Sequence, residues 1–188
     1  MATVRAFVAI LLTEEARARL ADEAARLRHV ASDVAWVAPD NFHLTLKFLG
    51  AVDESRVPAV ADAMLTAVVG VPPFTLTLRG LGAFPSPRRA RVIWAGAHEG
   101  TEIAAVLAGR VDAALGGLGF PREERPFASH ITLGRVRTPA RNPVLADALA
   151  AAAVRDLGAV PITRVSLMQS QLSPRGARYT ELRHAGLG

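Results

Sequence analysis

Residues Asn41–Gly50 read NFHLTLKFLG. Side chains alternate across a β-strand, so Phe42, Leu44, Leu46 and Phe48 fall on one face and His43, Thr45 and Lys47 on the other. An apolar half this full predicts a strand packed on a core. The opposite face then presents an imidazole and a hydroxyl two residues apart, about 7 Å along the strand. The arrangement occurs a second time, in Ser129–Arg135 (SHITLGR), where His130 and Thr132 share one face and Ile131 and Leu133 the other. Two H-x-T-L strands, far apart in one chain, decide how the remaining sequence is read.

Outward from these strands, the chain alternates between period-2 and period-3.6 patterns. Thr3–Leu12 predicts a strand, and Thr13 followed by Glu14 and Glu15 a helix start that runs to about His29. Val34–Val37 predicts a short strand leading into the first motif, and Asp53–Val69 an amphipathic helix stopped by Pro72-Pro73. Phe74–Arg79 and Arg91–Gly96 predict strands on either side of a loop, Gly80–Ala90, rich in glycine, proline and arginine. Glu99–Leu115 predicts a helix closed by Gly116-Gly117, and Asn142–Val154 a short alanine-rich helix. Ile162–Leu172 and Ala177–Arg183 predict a hairpin turning at Ser173–Gly176. Each half thus runs strand, helix and H-x-T strand. The fold class expected is α+β: one bilobal domain over residues 1–188, two antiparallel sheets related by a pseudo-two-fold and flanked by helices, with the motifs facing each other across a cleft.

Composition narrows the chemistry. The 188 residues contain no cysteine, which removes disulfides, thiolate nucleophiles and cysteine-ligated metals, and fits a reducing, cytoplasmic setting. The apolar N-terminal run is too short to span a membrane. No glycine-rich phosphate loop of the P-loop or dinucleotide-binding kind is present, which argues against ATP or NAD chemistry. The net charge of +5 comes almost wholly from arginine, since lysine occurs only at Lys47, and it adds little by itself to the case for a polyanionic partner.

Three histidines, His29, His98 and His184, sit in unrepeated contexts and are read as structural. His43 and His130 share a context and need a common explanation. A zinc site would need three protein ligands, and threonine beside each histidine is a poor one. General acid–base chemistry on a phosphate needs what the motifs supply. One imidazole takes a proton from the nucleophile, the other gives one to the leaving oxygen, and both titrate near neutrality. Threonine hydroxyls can hold the non-bridging oxygens between them. A strained cyclic phosphodiester is the substrate class such a site would open without a metal or cofactor.

The double motif, with RAFVAI at the start, Trp36, FTLTLRGLGAFPSPRRARVIWAG, FASHITLGRV and SLMQSQLSPRGARYTEL, covers most of the chain and resembles the 2H phosphoesterase superfamily. Within it, the chain is similar to the RNA 2′,3′-cyclic phosphodiesterases, also called 2′-5′ RNA ligases. The resemblance implies a bilobal, metal-independent enzyme that opens a 2′,3′-cyclic phosphate to a 2′-phosphate, with ATP-independent 2′-5′ joining of RNA ends as a related activity. Carried onto this chain, it makes His43 and His130 the catalytic pair and Thr45 and Thr132 the phosphate holders. It also gives Arg135, which follows the second motif, a place at the phosphate. Strict alternation puts Arg135 on the wrong face for that role, unless Gly134 introduces a bulge that re-aims it. Ser129 stands where proline is commoner in this family.

Partners implied are RNA ends or nucleoside 2′,3′-cyclic phosphates, with no membrane, metal or second subunit. Hydrolysis of another cyclic phosphate, such as an ADP-ribose derivative, is an alternative enzyme reading, and a non-catalytic module that binds RNA ends is the alternative of another class. Parity sends Phe42 and Phe48 to the core and puts Lys47 beside His43 and Thr45, within reach of a phosphate or of water. Trp36 and Tyr179 are candidates for stacking on a base, and Arg88, Arg89 and Arg91 for steering an RNA backbone.

Overall fold

The computed structural model describes residues 2–188. Its strands are β1 (Thr3–Leu11), β2 (Val34–Trp36), β3 (His43–Asp53), β4 (Phe74–Phe84), β5 (Val92–Ala97), β6 (His130–Val136), β7 (Asp156–Ile162), β8 (Arg164–Ser173) and β9 (Gly176–Gly186). Its helices are α1 (Glu14–Arg28), α2 (Val57–Val68), α3 (Thr101–Gly116) and α4 (Pro143–Ala151). Local chemistry sets their starts. The Thr13 hydroxyl accepts from the Ala16 N–H at 3.3 Å and opens α1, and the Asn142 side chain accepts from the Leu145 N–H at 3.0 Å and opens α4 at Pro143.

The two expected antiparallel sheets are present as β3-β1-β8-β9 and β7-β4-β5-β6, with short β2 on the free side of β6. They are joined into one path of strands by a single residue pair, Leu44↔Ile131, between β3 and β6. The pseudo-two-fold is interleaved. β4 leaves the first half to pair with β5, and β8 leaves the second half to pair with β1. The helices cross in the same way: α1 and α4 cover the sheet of β6, while α2 and α3 cover the sheet of β3. Each half therefore completes the other's core, a continuous cluster that includes Ile10, Leu20, Leu44, Met64, Leu107, Ile131 and Leu167.

The helix expected from Asp53 begins at Val57, because β3 runs on through Asp53, and two further elements differ from the sequence reading. β4 runs on to Phe84 through what the glycine and proline content predicts as loop, and Asp156–Ile162 is a strand of its own that the pattern of apolar residues does not reveal. Both depend on pairing: β7 pairs with the first half of β4, and β5 carries β4 on from Leu81 to Phe84. Among the described residues, no helix is long and apolar enough to cross a membrane.

Candidate active site

Leu44 and Ile131 are fully buried and point into the core, which turns the residues on either side of each toward the opposite face. By the antiparallel register at that pair, His43 lies across from Thr132 and Thr45 across from His130. The two histidines thus share one face at the seam between the sheets. His43, Thr45, His130, Thr132 and Arg135 all line one cavity of about 570 Å³. The five residues the motifs single out are brought together.

Each imidazole is held in the same way. His43 Nδ1 lies 2.7 Å from the carbonyl oxygen of Asn41, and His130 Nδ1 lies 2.8 Å from that of Ala128, in both cases the residue two before the histidine. A carbonyl can only accept, so Nδ1 carries the proton and donates it, and Nε2 is left to exchange protons in the cavity. The Thr45 hydroxyl is 2.9 Å from His43 Nε2. A phosphoryl oxygen seated on Thr45 would therefore sit beside the nitrogen that does the chemistry.

The surroundings of the two rings are not equivalent. His43 lies over Phe7, with ring centroids 4.8 Å apart, and receives the edge of Tyr179 at 5.3 Å. Burial pushes its pKa below the ordinary 6.5 against the raising effect of the Asn41 carbonyl, and the charge of His130 lowers it further. His130 meets one aromatic ring, Phe84, edge-on at 5.1 Å. Phe84 is backed by Trp94 at 5.3 Å, and Trp94 lies where a Cβ on Gly82 would come within 2.4 Å of its ring. Gly82 is the residue type this slot requires.

Strict alternation fails at the same point in both motifs. Pairing of β1 with β3 passes from Ala9↔Thr45 to Val8↔Lys47, and pairing of β5 with β6 passes from Trp94↔Thr132 to Ile93↔Gly134. Leu46 and Leu133 are the extra residues, each a bulge that reverses the faces beyond it. Arg135 accordingly comes round to the cavity, as the sequence reading required of a bulge, and its charge is felt by Tyr179, whose pKa is raised by burial and held back by Arg135 and Arg5.

The matching bulge in the first motif overturns two parity assignments. Phe48 is not in the core but 69% exposed at the cavity, and Lys47, although part of the cavity wall, is only 7% exposed, its ammonium already bound by protein groups. Lys47 Nζ donates to Asp112 Oδ1 at 2.6 Å and to the Pro121 carbonyl at 2.7 Å. Burial pushes the Asp112 carboxyl up, but hydrogen bonds from Lys47, Arg122 and the Glu123 N–H outweigh it and hold the pKa at about 2. This network ties β3 to the loop that carries Arg125, Phe127 and the Ala128 carbonyl.

Of the softer candidates, Tyr179 lines the cavity, whereas Trp36 lies outside it, under the guanidinium of Arg28 at 5.8 Å. Phe7, Phe84 and the two carbonyls are site components the sequence reading missed. A backbone oxygen leaves no residue-type signal, and the phenylalanines reach the histidines only through tertiary pairing. Among the described residues, no three His, Asp or Glu side chains converge as a metal cage.

The family model described as LigT-like phosphoesterase matches the chain twice, over residues 10–94 and 96–179, with one H-x-T-L in each stretch. The chain belongs to this family of phosphoesterases. Among individual relatives, it is 35% identical over 179 residues to the RNA 2′,3′-cyclic phosphodiesterase of Methanothermobacter thermautotrophicus, covering 95% of this chain and 96% of the relative. Among solved structures, it is similar to TT0787 of Thermus thermophilus, with a TM-score of 0.81 and 30% identity over 97% of each chain. It is also similar to E. coli LigT complexed with 3′-AMP, with a TM-score of 0.77 and 28% identity over 99% of each chain.

Proposed function

We propose that this protein is a cyclic phosphodiesterase that opens a 2′,3′-cyclic phosphate, at an RNA end or on a nucleotide, to a 2′-phosphate. His43 and His130 are the acid–base pair, and Thr45, Thr132 and Arg135 hold the phosphate. The observation that carries the reading is the matched pair of imidazoles, each with Nδ1 on the carbonyl two residues before it, lining one cavity.

His43, whose buried ring loses its proton at lower pH, takes the proton of the attacking water at Nε2. Water oxygen bonds to phosphorus, the bond from phosphorus to the ribose 3′ oxygen breaks, and His130 Nε2 protonates that oxygen. An in-line displacement needs the two Nε2 atoms on opposite sides of phosphorus, with the threonine hydroxyls and Arg135 guanidinium holding the equatorial oxygens. No step calls for a metal, because the imidazolium and Arg135 supply the positive charge. All these groups come from one chain, so a monomer suffices, and the cysteine-free composition suits the cytoplasm.

Incubating purified protein in EDTA with nucleoside 2′,3′-cyclic phosphates, with ADP-ribose cyclic phosphate as a second arm, tests the proposal. The expected product is the 2′-phosphate. A 3′-phosphate would reverse the leaving group, and substrate that binds but returns unchanged would make the protein a binding module.

A further inference from the structure

A second cavity, of about 660 Å³, is lined by Arg88, Arg89, Arg91 and Arg141 together with Pro85, Pro139 and Ala140. Arg88 and Arg89 lie in the short turn Pro87–Arg89 between β4 and β5, Arg91 precedes β5, and Arg141 arrives from the other side just ahead of α4. All four are exposed, and among the described residues none makes an ion pair or a side-chain hydrogen bond. Arg26, Arg122, Arg155 and Arg164, by contrast, each have a carboxylate. No acidic residue lines this cavity. Four uncompensated guanidinium groups around one hollow repel one another, and an anion between them removes that cost.

The backbone beneath them is fixed. The Arg91 N–H donates to the Phe84 carbonyl at 2.8 Å and the Val136 N–H to the Arg91 carbonyl at 2.9 Å, while the Asn142 amide donates to the Val30 carbonyl at 3.0 Å. The hollow lies next to the catalytic cleft along two strands. Phe84, Val92 and Arg135 are cross-strand neighbours that line the cleft, and the next residues along β4 and β5, Pro85 and Arg91, line the arginine cavity. A guanidinium only donates hydrogen bonds, and its planar fork fits phosphate oxygens. Nothing aromatic lines this hollow to hold a base.

We infer that this cavity is a second anion site, which takes the backbone phosphodiester flanking the cyclic phosphate in an RNA strand. The inference rests on the cyclic phosphodiesterase reading and adds that the substrate is an oligonucleotide in preference to a mononucleotide. Arg135, which lines the cleft, is the cross-strand neighbour of Val92, the residue after Arg91 of the hollow.

The test compares kcat/KM for an oligoribonucleotide ending in a 2′,3′-cyclic phosphate with that for a nucleoside 2′,3′-cyclic phosphate. It uses the wild type and the triple variant Arg88→Ala/Arg89→Ala/Arg141→Ala. The oligonucleotide value is expected to fall about tenfold or more through KM, while the mononucleotide value stays unchanged. The salt dependence on the oligonucleotide becomes shallower by about one power for each phosphate that the variant no longer neutralises. The matching triple lysine variant keeps most of the oligonucleotide activity. An equal fall on both substrates, or no fall on the oligonucleotide, overturns the inference.

Fluorescence anisotropy of an oligoribonucleotide ending in a 2′-phosphate needs no turnover and separates the two readings. If the wild type turns nothing over but the alanine variant still loses RNA affinity, the activity fails and the site stands. If turnover is normal and the variant binds RNA as well as the wild type, the site fails and the activity stands. Inorganic phosphate displacing the RNA at equal concentration would assign the cavity to a small anion and overturn the RNA preference.

Discussion

The two halves of the cleft start from the same strand motif and end as different environments. His43 is enclosed, with Phe7 beneath it, Tyr179 at its edge and the Thr45 hydroxyl on its Nε2. His130 meets one aromatic ring among the described residues, Phe84. What they share is local: the carbonyl two residues back that fixes the ring and its proton. What separates them comes from other strands, β1 and β9 for His43 and β4 for His130. A repeated strand motif thus supplies two imidazoles anchored in the same way, and the fold around His43 lowers its pKa.

The largest effect that tests this comparison is loss of either ring. His43→Ala and His130→Ala should each lower turnover by about a hundred- to ten-thousand-fold, the usual range for a positioned acid or base. Steady-state assays in EDTA check it, and a variant that retained most of its turnover would break the pairing of roles.

Next comes stability at the residue after each bulge, Lys47 in the first motif and Gly134 in the second. Lys47→Ala removes the buried ammonium and its packed stem from Asp112, which keeps Arg122 and the Glu123 N–H, and should cost about 3 kcal/mol, the lower end for breaking a buried pair. Gly134→Ala drives a Cβ to within 2.6 Å of Val34 Cγ1 and 3.0 Å of Trp36 Cε3, and should cost about 1–3 kcal/mol. Urea titration of both variants measures the order. Equal or reversed costs would mean that the two bulges do not differ as their packing indicates.

The smallest effect is on pH. Because burial lowers the His43 pKa, the acidic limb of kcat/KM lies below 6.5, the ordinary histidine value. Tyr179→Ala lets water reach the ring, which favours the charged form and moves that limb up toward 6.5. Phe84→Ala, on the other side of the cleft, leaves it in place. A limb that moved with Phe84 and not with Tyr179 would transfer the base role to His130.

Much of the site was legible before any tertiary contact was known. The apolar parity of Leu44 and Ile131 puts His43 with Thr45, and His130 with Thr132, on the non-core face, and a duplicated motif implies a cleft shared by two halves. Legibility ended at the bulges. Lys47 and Phe48 follow Leu46 with no glycine to mark a break, so strict alternation misplaced both, whereas Gly134 did mark one and allowed Arg135 to be placed. The strand Asp156–Ile162 and the run of β4 to Phe84 escaped because each exists as a strand only through pairing with another segment.

The sequence by itself determined the chemistry: which four side chains face away from the core, and that they are imidazoles and hydroxyls in a cysteine-free chain. It could do so because strand parity and residue type are local properties. Tertiary structure alone decided that Phe48 reaches the cleft, that Lys47 is buried on Asp112, and that Arg141 joins three arginines some fifty residues earlier. A bulge, an ion pair and a shared hollow exist only between segments, and no single segment encodes its partner.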